Sequence, residues 1–203
     1  MIVTDGVASR CECWHRNRLV QLLAVIPPKY REANIATMVP MHDGQKIAID
    51  TARTEPFSSV MFLGKQGTGK SHIFWSLYRN CVDAGRRATA CTAKQLLEEY
   101  RAEMFTKPEE IAPFVTVKAQ DLRDAQAPCS VFLDDIDKVK ATEYVAEQLF
   151  DLIDAAYSYN HQLVVTSNLD LPELTRHFEH ADHRYGASIV RRLADDSNVI
   201  KMF

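Results

Sequence analysis

"GKQGTGKS", Gly64–Ser71, is the stretch on which the fold turns. Gly64, Gly69, Lys70 and Ser71 satisfy G-x-x-x-x-G-K-[S/T] at every specified position. The flanks agree with it. "SVMFL" (59–63) is a short apolar run of strand character. From Lys70 to Ala84, Ile73, Leu77 and Cys81 share one helical face, and Gly85 suits a left-handed C-cap. Strand, glycine loop and helix together make an anion cradle, because glycine lets several N–H groups converge and the helix adds its positive end. Gly64, Lys65, Gln66, Gly67, Thr68, Gly69, Lys70 and Ser71 are therefore the candidate nucleotide-binding residues. Lys70 suits the β and γ phosphates, and the Ser71 hydroxyl suits Mg²⁺.

Outward from this loop, strand and helix signals alternate, the pattern of an α/β fold with a parallel sheet. "RATAC" (87–91), "SVFLDD" (130–135), "QLVVTSN" (162–168) and "NVIKMF" (198–203) read as further strands. Helices are expected from the Thr92/Gln95 capping box through Met104, near 117–126, over 142–159, from Asp170-Leu-Pro-Glu onward, and over 187–195. Pro108 and Pro113 interrupt the pattern. Residues 16–26 suit a short helix stopped by Pro27-Pro28. Residues 40–56, with Pro, Gly and scattered charge, carry no clear element.

Two acids end the third strand signal. In a parallel sheet the C-terminal strand ends share one rim, where ligands sit. Asp134 is there a candidate Mg²⁺ ligand, and Asp135 a candidate to orient or deprotonate water. Asn168, at the tip of "VVTS", has an amide suited to a γ-phosphate or a water. A base-reading Asn-Lys-x-Asp is missing from the sequence, so ATP rather than GTP is the expected nucleotide.

Composition is that of an ordinary globular domain, and a net charge of -3 gives no global attraction to nucleic acid. Apolar runs are shorter than the roughly 20 residues that span a bilayer. The opening "MIVTDGVASR" lacks a charged start and apolar block. Five cysteines, an odd number, argue against a disulfide framework. A reduced, cytoplasmic protein without a membrane partner is expected.

"MFLGKQGTGKSH", "SVFLDDID", "LVVTSNLDL" and "RYGASIVRRL", in that order and spacing, resemble AAA+ ATPases of the helicase-loader group, the DnaC and DnaI type, and the related IstB transposition ATPases. "IPPKYREANI" (26–35) is similar to the segment leading into that module. The resemblance implies a P-loop NTPase fold with an AAA+ core over 29–203, a parallel sheet flanked by helices, and no full C-terminal lid, since little chain follows Arg192. It implies Gly64–Ser71 as Walker A, Asp134 and Asp135 as Walker B, Asn168 as sensor 1, and Arg192 as a finger reaching a neighbouring subunit's nucleotide, with Arg191 the alternative. Many AAA+ proteins have Asp-Glu where this chain has Asp-Asp. It also implies ATP hydrolysis, self-association through the Arg192 face, a replicative helicase and single-stranded DNA as partners. The alternative is a transposition helper acting on duplex DNA and a transposase.

Residues 1–28 read as an N-terminal tail. Cys11 and Cys13 match one cysteine pair of the zinc module in related loaders, but with His15 they supply three ligands of the four a structural zinc needs. The other reading is reduced cysteines in a tail. Trp14 among Arg10, His15, Arg16 and Arg18 could stack on a base or dock on a protein. His177, His180 and His183 are spaced by three but complete no metal motif.

Overall fold

Strands that are apolar on both faces must be covered on both sides, and the structure meets that demand. The computed structural model describes residues 2–4, 7–9, 12–105, 117–180, 184–195 and 197–203. Two short strands, β1 (Ile2–Thr4) and β2 (Val7–Ser9), pair antiparallel ahead of helix α1 (Glu12–Ala24). Helix α2 (Asp43–Thr54) follows, and then a run in which strands and helices alternate. It comprises β3 (Val60–Leu63), α3 (Lys70–Asp83), β4 (Ala88–Thr92), α4 (Ala93–Phe105), α5 (Ala119–Arg123) and β5 (Ser130–Asp134). The chain continues through α6 (Glu143–Ser158), β6 (Gln162–Ser167), α7 (Leu171–Glu179), α8 (Gly186–Asp195) and β7 (Asn198–Lys201). The sheet runs β4-β5-β6-β3-β7, and every pairing in it is parallel.

Alternate strand residues feed two cores, as the two-residue period requires. Val60, Phe62, Phe132, Val164 and Ile200 pack under α2 and α3. Met61, Leu63, Val131, Leu133 and Val165 pack under α4, α6, α7 and α8. In the first core Phe74 meets Phe132 edge-on at 5.4 Å between ring centroids, and Tyr78 meets the same ring at 5.5 Å.

The expected strands and later helices form, with local caps to match. Thr142 accepts the Val145 N–H to open α6, and Asp170 and Glu173 form the reciprocal box that opens α7. The expected helix over 16–26 forms as α1 but starts earlier, at Glu12. Two elements were not legible in sequence. The hairpin β1–β2 is too short to show alternation. Helix α2 hides its stripe, Gln45, Ala48, Ile49 and Ala52, behind Gly44 and charged neighbours. His42 caps it through Nδ1, which accepts the Gln45 N–H at 3.2 Å.

Strand β5 ends at Asp134, one residue sooner than the sequence pattern suggests. Asp135 leaves the strand in a left-handed conformation, φ 55°, and starts a turn of 3-10 helix over Ile136–Lys138.

Candidate functional site

β6 lies between β3 and β5. Whatever follows β6 must therefore stand between the loop after β3 and the acids after β5. This topology brings Lys70, Asn168 and the aspartates together at the C-terminal rim.

The loop begins where Gly64 N–H is held by Ser167 O at 3.1 Å. It closes with the Thr68 hydroxyl on Lys65 O at 2.9 Å. Gly69 stands at the N-cap of α3 with φ 89°, a value open to glycine at little cost. In the first turn of α3 the His72 N–H turns back to Gly69 O at 3.1 Å, while the Lys70 and Ser71 amides precede the first intrahelical bond, as the opening amides of a helix do. Gly64 is pressed against the Met202 backbone, and Gly44 is equally close to Lys201 O, so β7 and α2 buttress the loop from one side.

Lys70 is buried. Its ammonium donates to Lys65 O and to Asn168 Oδ1, each at 3.0 Å, and to Gly64 O. Desolvation pushes its pKa down, against the pull of Asp135, Asp137 and Asp134. Asp134 is buried too, and burial pushes its carboxyl up although hydrogen bonds from Thr166 and Ser71 oppose the shift. Both bonds fall on Oδ1: Thr166 Oγ1 at 2.5 Å and Ser71 Oγ at 3.4 Å. Thr166 Oγ1 in turn accepts the Asp135 N–H at 2.8 Å. Asp134 makes no ion pair among the described residues. Asp135 pairs with Lys138 at 2.8 Å.

A buried cation and a buried anion, each lacking full counter-charge, stand around one cradle. Those are the residues a polyphosphate with its own divalent cation would satisfy. Lys70 and the loop amides fit the phosphates. Ser71 Oγ and Asp134 fit the metal ion.

The model of the IstB-like ATP binding protein family matches residues 48–202, most of the chain, with the phosphate loop, the aspartates and Asn168 inside it. The chain belongs to that family. Among solved structures, the DnaC helicase loader superposes on this IstB-like chain with a TM-score of 0.66 at 19% identity, covering 86% of this chain and 99% of that one. DnaI gives 0.68 at 16%, covering 90% and 97%. AMPPCP-bound DnaA from Aquifex aeolicus gives 0.61 at 16%, covering 87% and 51%. In sequence, the chromosomal replication initiator protein DnaA of Campylobacter curvus is 24% identical over 124 residues, 61% of this chain. The IstB-like chain spans 26% of that curated relative's length. Parallel sheet, flanking helices and loop are those of the P-loop NTPase fold of DnaC-like proteins.

The two terminal arginines of this IstB-like protein differ in setting. Arg191 is 79% exposed and pairs with Asp195, one turn along α8, at 3.2 Å. Arg192 pairs with Asp154 of α6, and its guanidinium lies 4.9 Å from the Phe150 ring centroid and 5.8 Å from that of Tyr157. His177 is committed to Val139 O at 3.0 Å. Among the described residues no group of three or more His, Cys, Asp or Glu is arranged to hold a metal ion. The side chains of Cys11, Cys13, Trp14 and His15, and the whole of His183, fall outside the described residues. Cys81, Cys91 and Cys129 are free thiols. Among the described residues no helix is long and apolar enough to cross a membrane.

Four residues of the site were not among the candidates singled out from sequence: Gln45, Asp137, Lys138 and Thr166. Thr166 had a signal, since it stands two residues before Asn168 in an extended segment and so shares its side of the sheet. Asp137 and Lys138 belong to a turn whose direction depends on the left-handed Asp135. Gln45 lies on α2, whose periodicity is too weak to place it from sequence.

Proposed function

We propose that this IstB-like protein is an AAA+ ATPase that loads or remodels a replicative helicase on single-stranded DNA. The observation that carries the ATPase part is the pairing of under-compensated charges, Lys70 and Asp134, across one phosphate-loop cradle. The likeness to the DnaC helicase loader and to DnaI, each over nearly its whole length, supports the loader part.

In this reading the loop amides and Lys70 bind and orient the triphosphate of ATP. Ser71 and Asp134 hold Mg²⁺, which when bound screens the phosphate charge. Asp135 orients and accepts a proton from the attacking water, exchanging its Lys138 partner for that role. Asn168 presents its amide to the γ-phosphate or the water. Arg192, or Arg191 in its place, serves a nucleotide held by the neighbouring subunit, so self-association completes the site.

The test compares variants with a fluorescent ATP analogue and a phosphate-release assay. Lys70→Ala should lose ATP binding. Asp135→Asn should keep it and lose turnover. Equal affinity of the wild type and Lys70→Ala would sink the site assignment. Copurification of the native cell's replicative helicase in ATP is expected; a transposase in its place would overturn the loader part alone.

A further inference from the structure

Asp137 closes the stretch "SVFLDDID" without having been assigned a role from sequence, yet both its oxygens are spent on one residue. Oδ1 accepts the Asn168 main-chain N–H at 2.8 Å, and Oδ2 accepts the Asn168 Nδ2–H at 3.0 Å. On its other side Asn168 Oδ1 accepts from Lys70 Nζ. We propose that Asp137 is the positioning residue for Asn168, gripping its backbone and its amide together so that one side-chain N–H is left to serve the nucleotide. The inference rests on the ATPase reading for its consequence, but its geometry stands without it.

The orientation of the amide follows from chemistry. An ammonium has only donors and an ionised carboxylate only acceptors. With Lys70 on one side and Asp135 and Asp137 on the other, the amide oxygen must face the lysine and the nitrogen the acids. Of the two Nδ2 hydrogens, one is taken by Asp137. The other is nearest Asp135 Oδ1 at 3.4 Å, a long contact that is weakly held. That second hydrogen is the one free to turn toward a phosphate oxygen or a water.

The grip stands on a turn anchored in the core. Asp137 sits in the 3-10 turn Ile136–Lys138, which follows the left-handed Asp135. Ile136 is fully buried and anchors that turn in the core. Asp137 thus links the end of β5, the end of β6 and, through Asn168, the lysine of the phosphate loop. A carboxylate serving only to cap the end of β6 would need the main-chain contact alone. The second contact, to the side-chain amide, distinguishes a positioning role.

The experiment uses ¹⁵N-labelled full-length chain. The Asn168 side-chain amide signals are identified by their loss in Asn168→Ala, then followed in Asp137→Ala and Asp137→Asn. The expected result is a widely split, slowly exchanging pair in the wild type that moves to free-amide positions in Asp137→Ala. ATP affinity should stay unchanged while kcat falls roughly tenfold to a hundredfold, the scale of a catalytic group displaced by about 1 Å. The double variant Asp137→Ala, Asn168→Ala should be no slower than Asn168→Ala alone, since the two act as one unit. Asp137→Asn keeps one acceptor and should fall between; it serves as the probe if the alanine variant does not fold. Unchanged Asn168 amide signals in both Asp137 variants, or losses that multiply in the double variant, overturn the proposal. Wild-type turnover by Asn168→Ala would instead remove Asn168 from the ATPase reading, and the amide signals would still decide what Asp137 does.

Discussion

Gly67 and Gly69 show how much one Cβ atom can decide. Both have φ 89°, where an L-residue costs roughly 1–2 kcal/mol. A Cβ at Gly67 would meet nothing within 4 Å, but one at Gly69 would come within 2.5 Å of Gln45 Nε2. Gly69→Ala is therefore expected to lower the melting temperature and the ATP affinity more than Gly67→Ala. Adding Gln45→Ala to the Gly69→Ala chain should recover the difference between the two and no more, because the backbone strain remains. Gln45 is itself held from the segment before α2, since its Oε1 accepts the Met41 N–H at 2.6 Å. Equal effects of Gly67→Ala and Gly69→Ala would show that the Gln45 contact does not constrain the loop.

Between elements, apolar packing of Leu22 and Leu23 joins α1 to the core under α3, and one hydroxyl adds a hydrogen bond. Tyr78, fully buried in α3, donates to Leu22 O at 3.0 Å. Burial raises its pKa from 10.0 to about 12. The folded chain thus holds this proton more tightly than the unfolded chain. Its contribution to stability is whole below pH 10 and is lost as pH rises toward 12. Tyr78→Phe should cost about 1 kcal/mol at neutral pH and flatten the alkaline loss of stability, measured by denaturant unfolding between those two values. Helix α6 carries the other core through Leu149, which is fully buried. Leu149→Ala should cost about 2–5 kcal/mol in the same assay.

For the molecule as a whole, the central question is what Arg192 does away from its own α8. Within one chain it is held by Asp154 and two aromatic rings. If it serves a neighbour's nucleotide, ATP turnover per chain should rise with protein concentration. Arg192→Ala should then abolish that rise, and Asp154→Asn, by releasing the guanidinium, should shift it to lower concentration. Turnover independent of concentration in the wild type, or the rise lost in Arg191→Ala and kept in Arg192→Ala, would move the role from Arg192. Phosphate release across a dilution series reads all of these.

Sequence alone determined the phosphate loop, the α/β class and the chain order of the strands from β3 to β7, because these are local. Four residue types at fixed spacing make the loop, and apolar periodicity within a few residues marks strand or helix. It also pointed to Asp134, Asp135 and Asn168 as rim residues, since each ends an apolar run. Tertiary structure alone decided that β6 lies between β3 and β5, and hence that Asn168 bridges Lys70 to the acids. It decided that Asp137 grips Asn168, that Thr166 binds Asp134, that Gln45 backs Gly69, and that Arg192 rests on α6. The physical reason is that a polar side chain's role is set by the donors, acceptors and charges brought to within about 3 Å of it. Here those partners come from strands and turns distant in the chain.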